Sequence, residues 1–262
     1  MTLALVGAGN MGGALLGGWL AAGHEPTDIV VVEASEAGRA RVEALGVRCV
    51  ELAEASQADT IVLAVKPHQF DDILAALRPG PGAVVVSIAA GVTVAHLEDA
   101  LPEGTVVVRV MPNTGALVGK AMSGIVPGTR ATDEHVAAAR GLLDAVGATI
   151  VTDEDHLDAL TAVSGSGPAY LFHVAEAMIE GGVHQGLTRA DATRLTTQTF
   201  LGAAALLAES GASATVLREQ VTSPGGTTAA ALRVLDERGV RAAFLAAIEA
   251  CAQRSSDMVR GR

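Results

Sequence analysis

The sequence predicts an α/β fold, in which an N-terminal, doubly wound and mostly parallel sheet is followed by a C-terminal all-α domain. In the first half, short β-branched runs alternate with amphipathic segments, and the runs are apolar throughout. Such strands are typical of a parallel sheet that helices cover on both faces, with right-handed crossovers between strands. After about Thr152, Ala and Leu recur at helical spacing and no run is a convincing strand. The predicted domains are therefore residues 1–152 and residues 153–262.

The elements of the first domain alternate as a doubly wound sheet requires. The predicted strands are Leu3–Val6, Ile29–Val32, Thr60–Val65, Ala83–Ile88 and Thr105–Val110, with weaker runs near Ile125 and Ile150. The predicted helices between them are Met11–Ala22, Ala37–Leu45, Phe70–Leu77, Val94–Leu101 and His135–Val146.

The second domain is predicted to be a set of helices that need a partner. A helix begins at Gly167-Pro168, Gly181-Gly182 and Gly186 interrupt it, and Thr188 precedes a run through Ala208. Few charges occur between Ala159 and Val183, and several helices are apolar on more than one face. About 110 residues cannot bury all of these faces among themselves. We therefore expect a second subunit to cover them, in a homo-oligomer.

Composition excludes several classes of function. The net charge of −11 argues against a surface for nucleic acid or for an anionic membrane. Cys49 and Cys251 are isolated, which predicts a reducing compartment and no metal site. The first residues lack the basic segment of a signal peptide, and no run approaches the ~18 apolar residues of a membrane span. The expected location is the cytoplasm.

A glycine-rich turn predicts a dinucleotide site. Gly7-Ala8-Gly9-Asn10-Met11-Gly12 fits G-x-G-x-x-G, follows the first strand directly and begins the first helix. Its glycines allow the backbone to approach a pyrophosphate, which binds free N–H groups at the helix N-terminus. The first domain is therefore expected to be Rossmann-like. The expected cofactor contacts in this turn are Gly7, Gly9, Asn10, Met11 and Gly12.

The residues after the second strand concern the choice between NADH and NADPH. Glu33 lies about 20 residues beyond Gly12, where an acid binds the ribose 2′-hydroxyl of NAD and disfavours the 2′-phosphate of NADP. Ser35, Arg39 and Arg41 follow at once and could hold that phosphate, although the arginines equally suit a solvated helix face. Both cofactors stay open.

Further cofactor contacts are expected where later strands end, because ligands of open α/β sheets lie at the carboxyl ends of the strands. Lys66 is one of only two lysines, with Lys120, so it is expected to contact ribose or phosphate; the alternative is a surface cation. Arg109 either reaches the nicotinamide end or forms a structural ion pair. The residues expected to border the cofactor here are Ala64, Val65, Lys66, Pro67, Ala89, Ala90 and Asn113.

A proline–glycine elbow in the second domain predicts a carboxylate site. Thr222-Ser223-Pro224-Gly225-Gly226-Thr227-Thr228 precedes the predicted helix Ala229–Arg238. Backbone N–H groups and hydroxyls would converge there on the positive end of a helix. An ordinary helix cap needs only one Ser or Thr. The expected substrate contacts are Ser223, Gly225, Gly226, Thr227 and Thr228.

A second glycine–serine segment, Ser164–Tyr170, is interpreted as a helix cap that permits close packing, with a border of the substrate site as the alternative. The proton donors that carbonyl reduction usually needs are missing, since residues 153–262 contain no lysine and no His-Glu or Ser-His-Asp set is evident. A protonated imine is already electrophilic, so positioning and a hydrogen bond suffice for its reduction.

Over essentially its full length, the chain resembles the pyrroline-5-carboxylate reductases. The resemblance is carried by Gly7–Gly12, Ala64–Pro67, Ser87–Gly91, Met111–Thr114, Ser164–Tyr170 and, most specifically, Thr222–Thr228 followed by Ala229–Asp236. The first motif alone occurs in many reductases, whereas all six in this order are specific.

The resemblance implies a Rossmann domain and a helical domain that interlocks with a partner subunit, in dimers that assemble further into decamers. It implies hydride transfer from NADPH or NADH to 1-pyrroline-5-carboxylate, a cyclic imino acid, which yields L-proline. It also implies that the elbow holds the substrate carboxylate and that the Thr228 hydroxyl hydrogen-bonds the ring nitrogen. The sequence departs from the family at Gly115, which replaces a proline, and at Glu33, which replaces a small or hydroxyl residue.

Two other functions remain as alternatives. A β-hydroxyacid dehydrogenase also combines a Rossmann domain with helices, but that family uses a lysine in its helical domain, where this chain has none. A non-catalytic nucleotide-sensing homologue would keep the fold without the chemistry, against which the intact elbow argues. Cofactor preference, assembly beyond the dimer, feedback by proline and activity on related cyclic imines stay open.

Overall fold

The computed structural model describes residues 2–260 and contains one eight-stranded sheet in the order β3-β2-β1-β4-β5-β6-β7-β8. The strands are β1 (Leu3–Val6), β2 (Ile29–Val32), β3 (Arg48–Cys49), β4 (Thr60–Leu63), β5 (Val84–Ser87), β6 (Val106–Met111), β7 (Ala121–Pro127) and β8 (Gly147–Val151). Strands β1 to β6 are parallel, whereas β7 is antiparallel to β6 and parallel to β8. The predicted doubly wound, mostly parallel sheet is confirmed.

Seven helices accompany these strands up to residue 160 of the described chain. They are α1 (Asn10–Ala21), α2 (Glu36–Glu43), α3 (Leu52–Ala55), α4 (Phe70–Ala76), α5 (Val94–Ala100), α6 (Asp133–Asp144) and α7 (Leu157–Leu160). The expected helices lie within about two residues of these bounds. Strand β3 and helix α3 were not predicted, because two and four residues are too few to display a period.

The two faces of the sheet bury separate apolar clusters. Side chains alternate between the faces of a strand, so Leu3 and Leu5 pack into one cluster and Ala4 and Val6 into the other. This double burial explains why the strands are apolar throughout. Trp19 on α1 is fully buried, and its indole Nε1 donates to the carbonyl of Leu142 on α6 at 2.8 Å. The bond ties two helices together on one face.

The remaining helices form the all-α part of the chain. A π-helical turn, Thr161–Gly165, is followed by α8 (Gly167–His184), α9 (Arg189–Glu209), α10 (Ala214–Gln220), α11 (Thr227–Glu237) and α12 (Val240–Arg260). The expected interruption at Gly181-Gly182 is wrong, since α8 runs on to His184. The expected interruption at Gly186 is confirmed, since α8 has ended and Gly186 has φ of +97°. Thr188 caps α9 by accepting from the Asp191 N–H at 3.1 Å.

By compactness the chain divides into two units. One extends to Pro168 and includes the chain from Glu249 onward, and the other is Ala169–Ile248. The domain boundary predicted after Thr152 lies just before α7 and stays a prediction. No helix within residues 2–260 is long and apolar enough to cross a membrane.

Candidate functional site

The turn after β1 has the geometry that a dinucleotide requires. Gly7 has φ of +96°, and a Cβ there would lie 2.9 Å from the carbonyl oxygen of Ala64. A Cβ on Gly12 would collide with the carbonyl oxygen of Gly7. Both positions therefore require glycine, and the backbone stays open to a large anion.

The N-terminus of α1 offers unpaired donors beside this turn. Gly9 is the N-cap, so no side chain caps the helix, and its first turn contains no acidic residue. A Cβ on Gly9 would meet no heavy atom of the described chain within 4 Å. Free N–H groups and the positive helix end therefore face open space, as an anion site needs.

Glu33 is held at the end of β2 beside the glycine turn. Its Oε2 accepts from the Ala8 N–H at 2.9 Å, and its Oε1 accepts from the N–H and hydroxyl of Ser35 at 2.9 and 2.8 Å. Partial burial raises the pKa of Glu33, but these hydrogen bonds and the charge of Arg41 outweigh it and hold the pKa below its ordinary value. The carboxylate is therefore a fixed negative charge at neutral pH.

Ser35 and Arg39 are less available to bind a phosphate than the sequence indicated, because both have partners within the chain. The Ser35 hydroxyl caps α2 by accepting from the Gly38 N–H at 3.1 Å. Arg39 donates from Nε to the carbonyl oxygen of Glu33 at 2.6 Å and forms an ion pair with Glu51. Arg41 is exposed and forms no ion pair within the described residues. Of the two arginines, Arg41 is the one available to a ligand.

The segment after β4 lies against the glycine turn. Ala64 donates from its N–H to the carbonyl of Val6 at 2.8 Å, and Ala64 and Val65 are half-buried. Lys66 is exposed, and its ammonium has no ion-pair partner among residues 2–260. Pro67 begins a 3₁₀ turn, Pro67–Gln69, but its side chain lies outside what the structure describes. The Lys66 charge is free to meet an anionic ligand.

The loop after β5 lies close to the C-terminal end of α12. Ala89 is buried and Ala90 half-buried, and Gly91 has φ of +73°. A Cβ on Gly91 would lie 3.8 Å from Cβ and Cε of Met258, near the end of α12. The sequence pattern did not link the end of the chain with this loop, since such a contact depends on tertiary packing.

The side-chain amide of Asn113 is fully hydrogen-bonded within the protein. Its Nδ2 donates to the carbonyl and the hydroxyl oxygen of Ser164, both at 3.2 Å. Its Oδ1 accepts from the N–H groups of Gly115 and Met122 at 3.1 and 3.3 Å. These four bonds exhaust a side-chain amide. The backbone of Asn113 is the part that remains free to border a cofactor, and this role stays a prediction.

Arg109 forms the structural ion pair that was one of its two interpretations. Its guanidinium is almost fully buried and its Nη1 donates to the carboxylate of Glu154. Burial lowers the pKa of Arg109, and the carboxylates of Glu154 and Asp158 oppose that effect. Glu154 was not predicted, because it stands within the acidic run Asp153-Glu154-Asp155 and nothing in the sequence distinguishes it.

No side chain of the elbow caps the N-terminus of α11, unlike at an ordinary helix N-terminus. Helix α11 begins at Thr227 with Gly226 as its N-cap, no side chain caps it, and its first turn has no acidic residue. Gly225 has φ of +69°, and the Gly226 N–H donates to the Ser223 carbonyl at 3.0 Å.

The hydroxyls of this elbow are free. Ser223 and Thr227 are exposed and Thr228 is half-buried, and within the described chain their hydroxyls have no hydrogen-bond partner. Thr222 differs, since its Oγ1 donates to the carbonyl of Arg218 at 2.5 Å. Three free hydroxyls and an uncapped helix N-terminus can together accommodate a small carboxylate.

The segment Ser164–Tyr170 permits close packing. A Cβ on Gly165 would lie 3.1 Å from Cε of Met111, which is tight packing. The Ser164 hydroxyl meets Asn113 and Met122, and the Ser166 hydroxyl accepts from the Cys251 thiol at 3.2 Å. The expected capping of α8 by this segment stays a prediction. Among residues 2–260, no three His, Cys, Asp or Glu side chains form a metal site.

Two family models match the chain. The model described as pyrroline-5-carboxylate reductase dimerisation matches residues 154–258, and the one described as NADP oxidoreductase, coenzyme F420-dependent, matches residues 2–91. The first covers most of the helical part and indicates a homo-oligomer. The second covers the glycine turn and the strands around it.

Known proteins agree with these matches. A pyrroline-5-carboxylate reductase of Corynebacterium melassecola is 42% identical, over 98% of each chain. The structure of a reductase of this kind from Coxiella burnetii has a TM-score of 0.92 and 35% identity, over 98% of each chain. The pyrroline carboxylate reductase of Plasmodium falciparum, crystallised with NADP bound, has a TM-score of 0.87 and 26% identity, over 99% of this chain and 98% of that one. This chain therefore belongs to the pyrroline-5-carboxylate reductase family.

Proposed function

We propose that this chain reduces 1-pyrroline-5-carboxylate to L-proline with NADPH or NADH, and that the elbow Ser223–Thr228 is its substrate site. The observation that carries the proposal is the uncapped N-terminus of α11, where Gly226 stands as N-cap beside three free hydroxyls. Membership of the reductase family, at 42% identity over nearly the whole chain, supports the same reaction.

The cofactor fits the first part of the chain. The residues that would hold it are Gly7, Gly9, Asn10, Met11, Gly12, Glu33, Ser35, Ala64, Val65, Lys66, Pro67, Ala89, Ala90 and the backbone of Asn113. Residues 1–152 form the dinucleotide-binding domain in this proposal, and residues 153–262 form the dimerisation and substrate domain. When bound, the reduced nicotinamide supplies the hydride.

The chain itself binds and orients the imine. Ser223, Gly225, Gly226 and Thr227 hold the carboxylate through N–H groups and hydroxyls at the positive end of α11. The Thr228 hydroxyl accepts a hydrogen bond from the protonated ring nitrogen, which fixes C5 for attack. The hydride forms the new C–H bond at C5, and the π electrons of the C=N bond move onto nitrogen, which becomes the amine of proline.

The polar groups at the elbow suit an imine better than a ketone. Reduction of a carbonyl needs a general acid to protonate its oxygen, and residues 153–262 contain no lysine for that role. A protonated imine brings its own positive charge, so an oriented hydroxyl suffices. This difference separates the proposal from a β-hydroxyacid dehydrogenase.

Oxidation of NADPH and of NADH with 1-pyrroline-5-carboxylate, followed by absorbance, tests the proposal. We expect turnover with the cyclic imine and none with a β-hydroxyacid in the reverse direction. Binding of NADPH without any turnover on the imine would overturn the proposal and favour a nucleotide-sensing protein.

The charge of Glu33 yields a prediction for cofactor choice. Replacement by glutamine removes a fixed carboxylate that would repel a 2′-phosphate, so the ratio of kcat/KM with NADPH to kcat/KM with NADH should rise about three- to tenfold. Steady-state kinetics with both cofactors measures the ratio. Glu36→Gln is the matched control, because Glu36 is exposed in the first turn of α2 and makes the same change of net charge. An equal shift in both variants would contradict a local role of Glu33.

The second unit, Ala169–Ile248, leaves most of its apolar surface exposed in the single chain. Its buried residues are only Ala192 and Thr196. Its exposed large apolar side chains are Leu171, Phe172, Met178, Leu187, Leu195, Leu201, Leu206, Leu207, Val216, Val221, Val234, Leu235, Phe244 and Leu245. Patches on this scale mark interfaces. We infer a dimer that assembles further into a decamer in the cytoplasm, without nucleic-acid or membrane partners.

A charge placed on this surface should separate the subunits. Leu201 on α9 is 63% exposed in the single chain, so Leu201→Glu would bury a carboxylate at the interface and lower the mass measured by light scattering. Leu45→Glu is the control, since Leu45 is 48% exposed at the end of α2 in the other unit. An unchanged mass for Leu201→Glu, or an equal loss in the control, would contradict the assignment.

A further inference from the structure

Asn113 occupies an unusual position for a side chain near a cofactor, because its amide is fully used within the protein. The two Nδ2 hydrogens meet the carbonyl and hydroxyl oxygens of Ser164, and Oδ1 meets the N–H groups of Gly115 and Met122. All four distances lie between 3.1 and 3.3 Å. Asn113 is also half-buried, which strengthens the bonds by limiting competition from water.

These bonds join three segments that are distant in sequence. Asn113 follows β6, Met122 lies in β7, and Ser164 lies in the π-helical turn. The Ser164 hydroxyl closes the ring by donating to the Met122 carbonyl at 3.4 Å. The amide therefore acts as a clip between the end of β6 and the π turn.

The same two segments also touch through apolar atoms. A Cβ on Gly165 would lie 3.1 Å from Cε of Met111, the last residue of β6, so the two segments are closely packed there. Two residues before Met111, Arg109 is ion-paired with Glu154, which precedes α7 and the π turn. Polar and apolar contacts hold the end of β6 to residues 154–165.

The π turn is an uncommon element of the fold. Its wide ring is closed by the Ser166 N–H, which donates to the Thr161 carbonyl at 2.9 Å. Single π turns are rare and recur at functional sites. Asn113 binds the Ser164 carbonyl, a backbone acceptor inside this turn.

We propose that Asn113 is a positioning residue for hydride transfer, which acts through Ser164 to fix the end of β6 and the π turn as one border of the nicotinamide ring. The inference rests on the proposed function, because the carboxyl ends of the strands are where the cofactor of that reaction would lie. The side chain of Asn113 does not bind the cofactor, since its amide has no free donor or acceptor.

The test compares Asn113→Ala, Ser164→Ala and the double variant with the full-length wild type. Loss of the clip lets the border shift, and a shift of about 1 Å can lower a rate by up to about 100-fold. We expect kcat with 1-pyrroline-5-carboxylate to fall about tenfold or more in Asn113→Ala and about three- to tenfold in Ser164→Ala, which keeps the Ser164 carbonyl, and the double variant to be no slower than Asn113→Ala. The Kd of NADPH should stay within about threefold of wild type, because the glycine turn and Glu33 are untouched.

A second measurement needs no imine. The fluorescence of protein-bound NADPH reports the surroundings of the nicotinamide, so its emission should change in both single variants. A role confined to stability predicts unchanged emission from the folded fraction. Thr105→Ala is the matched control, because the Thr105 hydroxyl donates to the Pro102 carbonyl at 2.7 Å just before β6, at the opposite end of the strand. We expect wild-type kcat and emission from this control.

The outcomes separate the inference from the proposed function. Wild-type protein that binds NADPH but never oxidises it with the imine overturns the proposed function, while the emission of the variants still decides the positioning role. Unchanged emission, together with kcat within about twofold of wild type wherever turnover exists, overturns the inference. Should Asn113→Ala fail to fold, Ser164→Ala decides alone, since it removes one hydroxyl and keeps the backbone carbonyl that Asn113 binds.

Discussion

Replacing Thr228 with alanine is expected to lower kcat/KM for 1-pyrroline-5-carboxylate by tenfold or more, about 1.4 kcal/mol of transition-state stabilisation. The physical reason is the hydrogen bond from the protonated ring nitrogen, since hydrogen bonds to charged groups contribute about 1.5–3 kcal/mol. The Thr228 hydroxyl has no competing partner within residues 2–260, so it is available for this contact. Steady-state kinetics at saturating cofactor measures the effect.

Two further variants make this prediction specific. Thr228→Ser keeps a hydroxyl at the same position and should retain most of the activity. Thr222→Ala is the matched control, because the Thr222 hydroxyl is already committed to the Arg218 carbonyl, so its loss should leave kcat/KM within about twofold of wild type. An unchanged kcat/KM in Thr228→Ala would remove Thr228 from the mechanism.

The second large effect concerns stability and the buried ion pair. Replacing Glu154 with alanine leaves the Arg109 guanidinium charged, almost fully buried and without its partner. Breaking a buried pair in this way costs about 3–5 kcal/mol, and we expect about 2–4 kcal/mol here because Glu154 retains contact with water. Denaturation followed by Trp19 fluorescence reports the loss, because Trp19 is the single tryptophan and is buried in the same unit.

The double variant Arg109→Met with Glu154→Leu separates the cost of an unpaired charge from the contribution of the pair itself. Apolar residues of similar size often replace a buried pair without loss, so this variant should be more stable than Glu154→Ala. If Glu154→Ala were as stable as wild type, the guanidinium would have access to water and the buried pair would be misassigned.

The sheet and the glycine turn could be predicted from the sequence, since both depend on local patterns. Uninterrupted apolar runs indicated strands buried on both faces, and Leu3–Val6 was predicted with the bounds that the structure has. Gly7 and Gly12 could be recognised from residue type alone, because a Cβ at either position would collide with the backbone. Gly181-Gly182 misled the prediction, since glycine destabilises a helix by only about 1 kcal/mol, which packing overrides.

Side-chain partners at the candidate site were harder to predict. Glu33 was located from its spacing, but its bonds to the Ala8 N–H and to Ser35 depend on how β1 and β2 lie side by side. Asn113 was expected to border the cofactor because it follows a strand, but its hydrogen bonds to Ser164, 51 residues away, were not predicted. No periodicity or motif encodes such a pairing, because it results from packing across the fold.

The position of the substrate carboxylate is central to the proposed function, and a crystal structure of the chain with NAD⁺ and L-proline tests it directly. We predict that the proline carboxylate lies on the N-terminal N–H groups of α11 and the hydroxyls of Ser223 and Thr227, with its ring nitrogen within hydrogen-bonding distance of Thr228. Proline bound elsewhere, with these groups facing only water, would contradict the account.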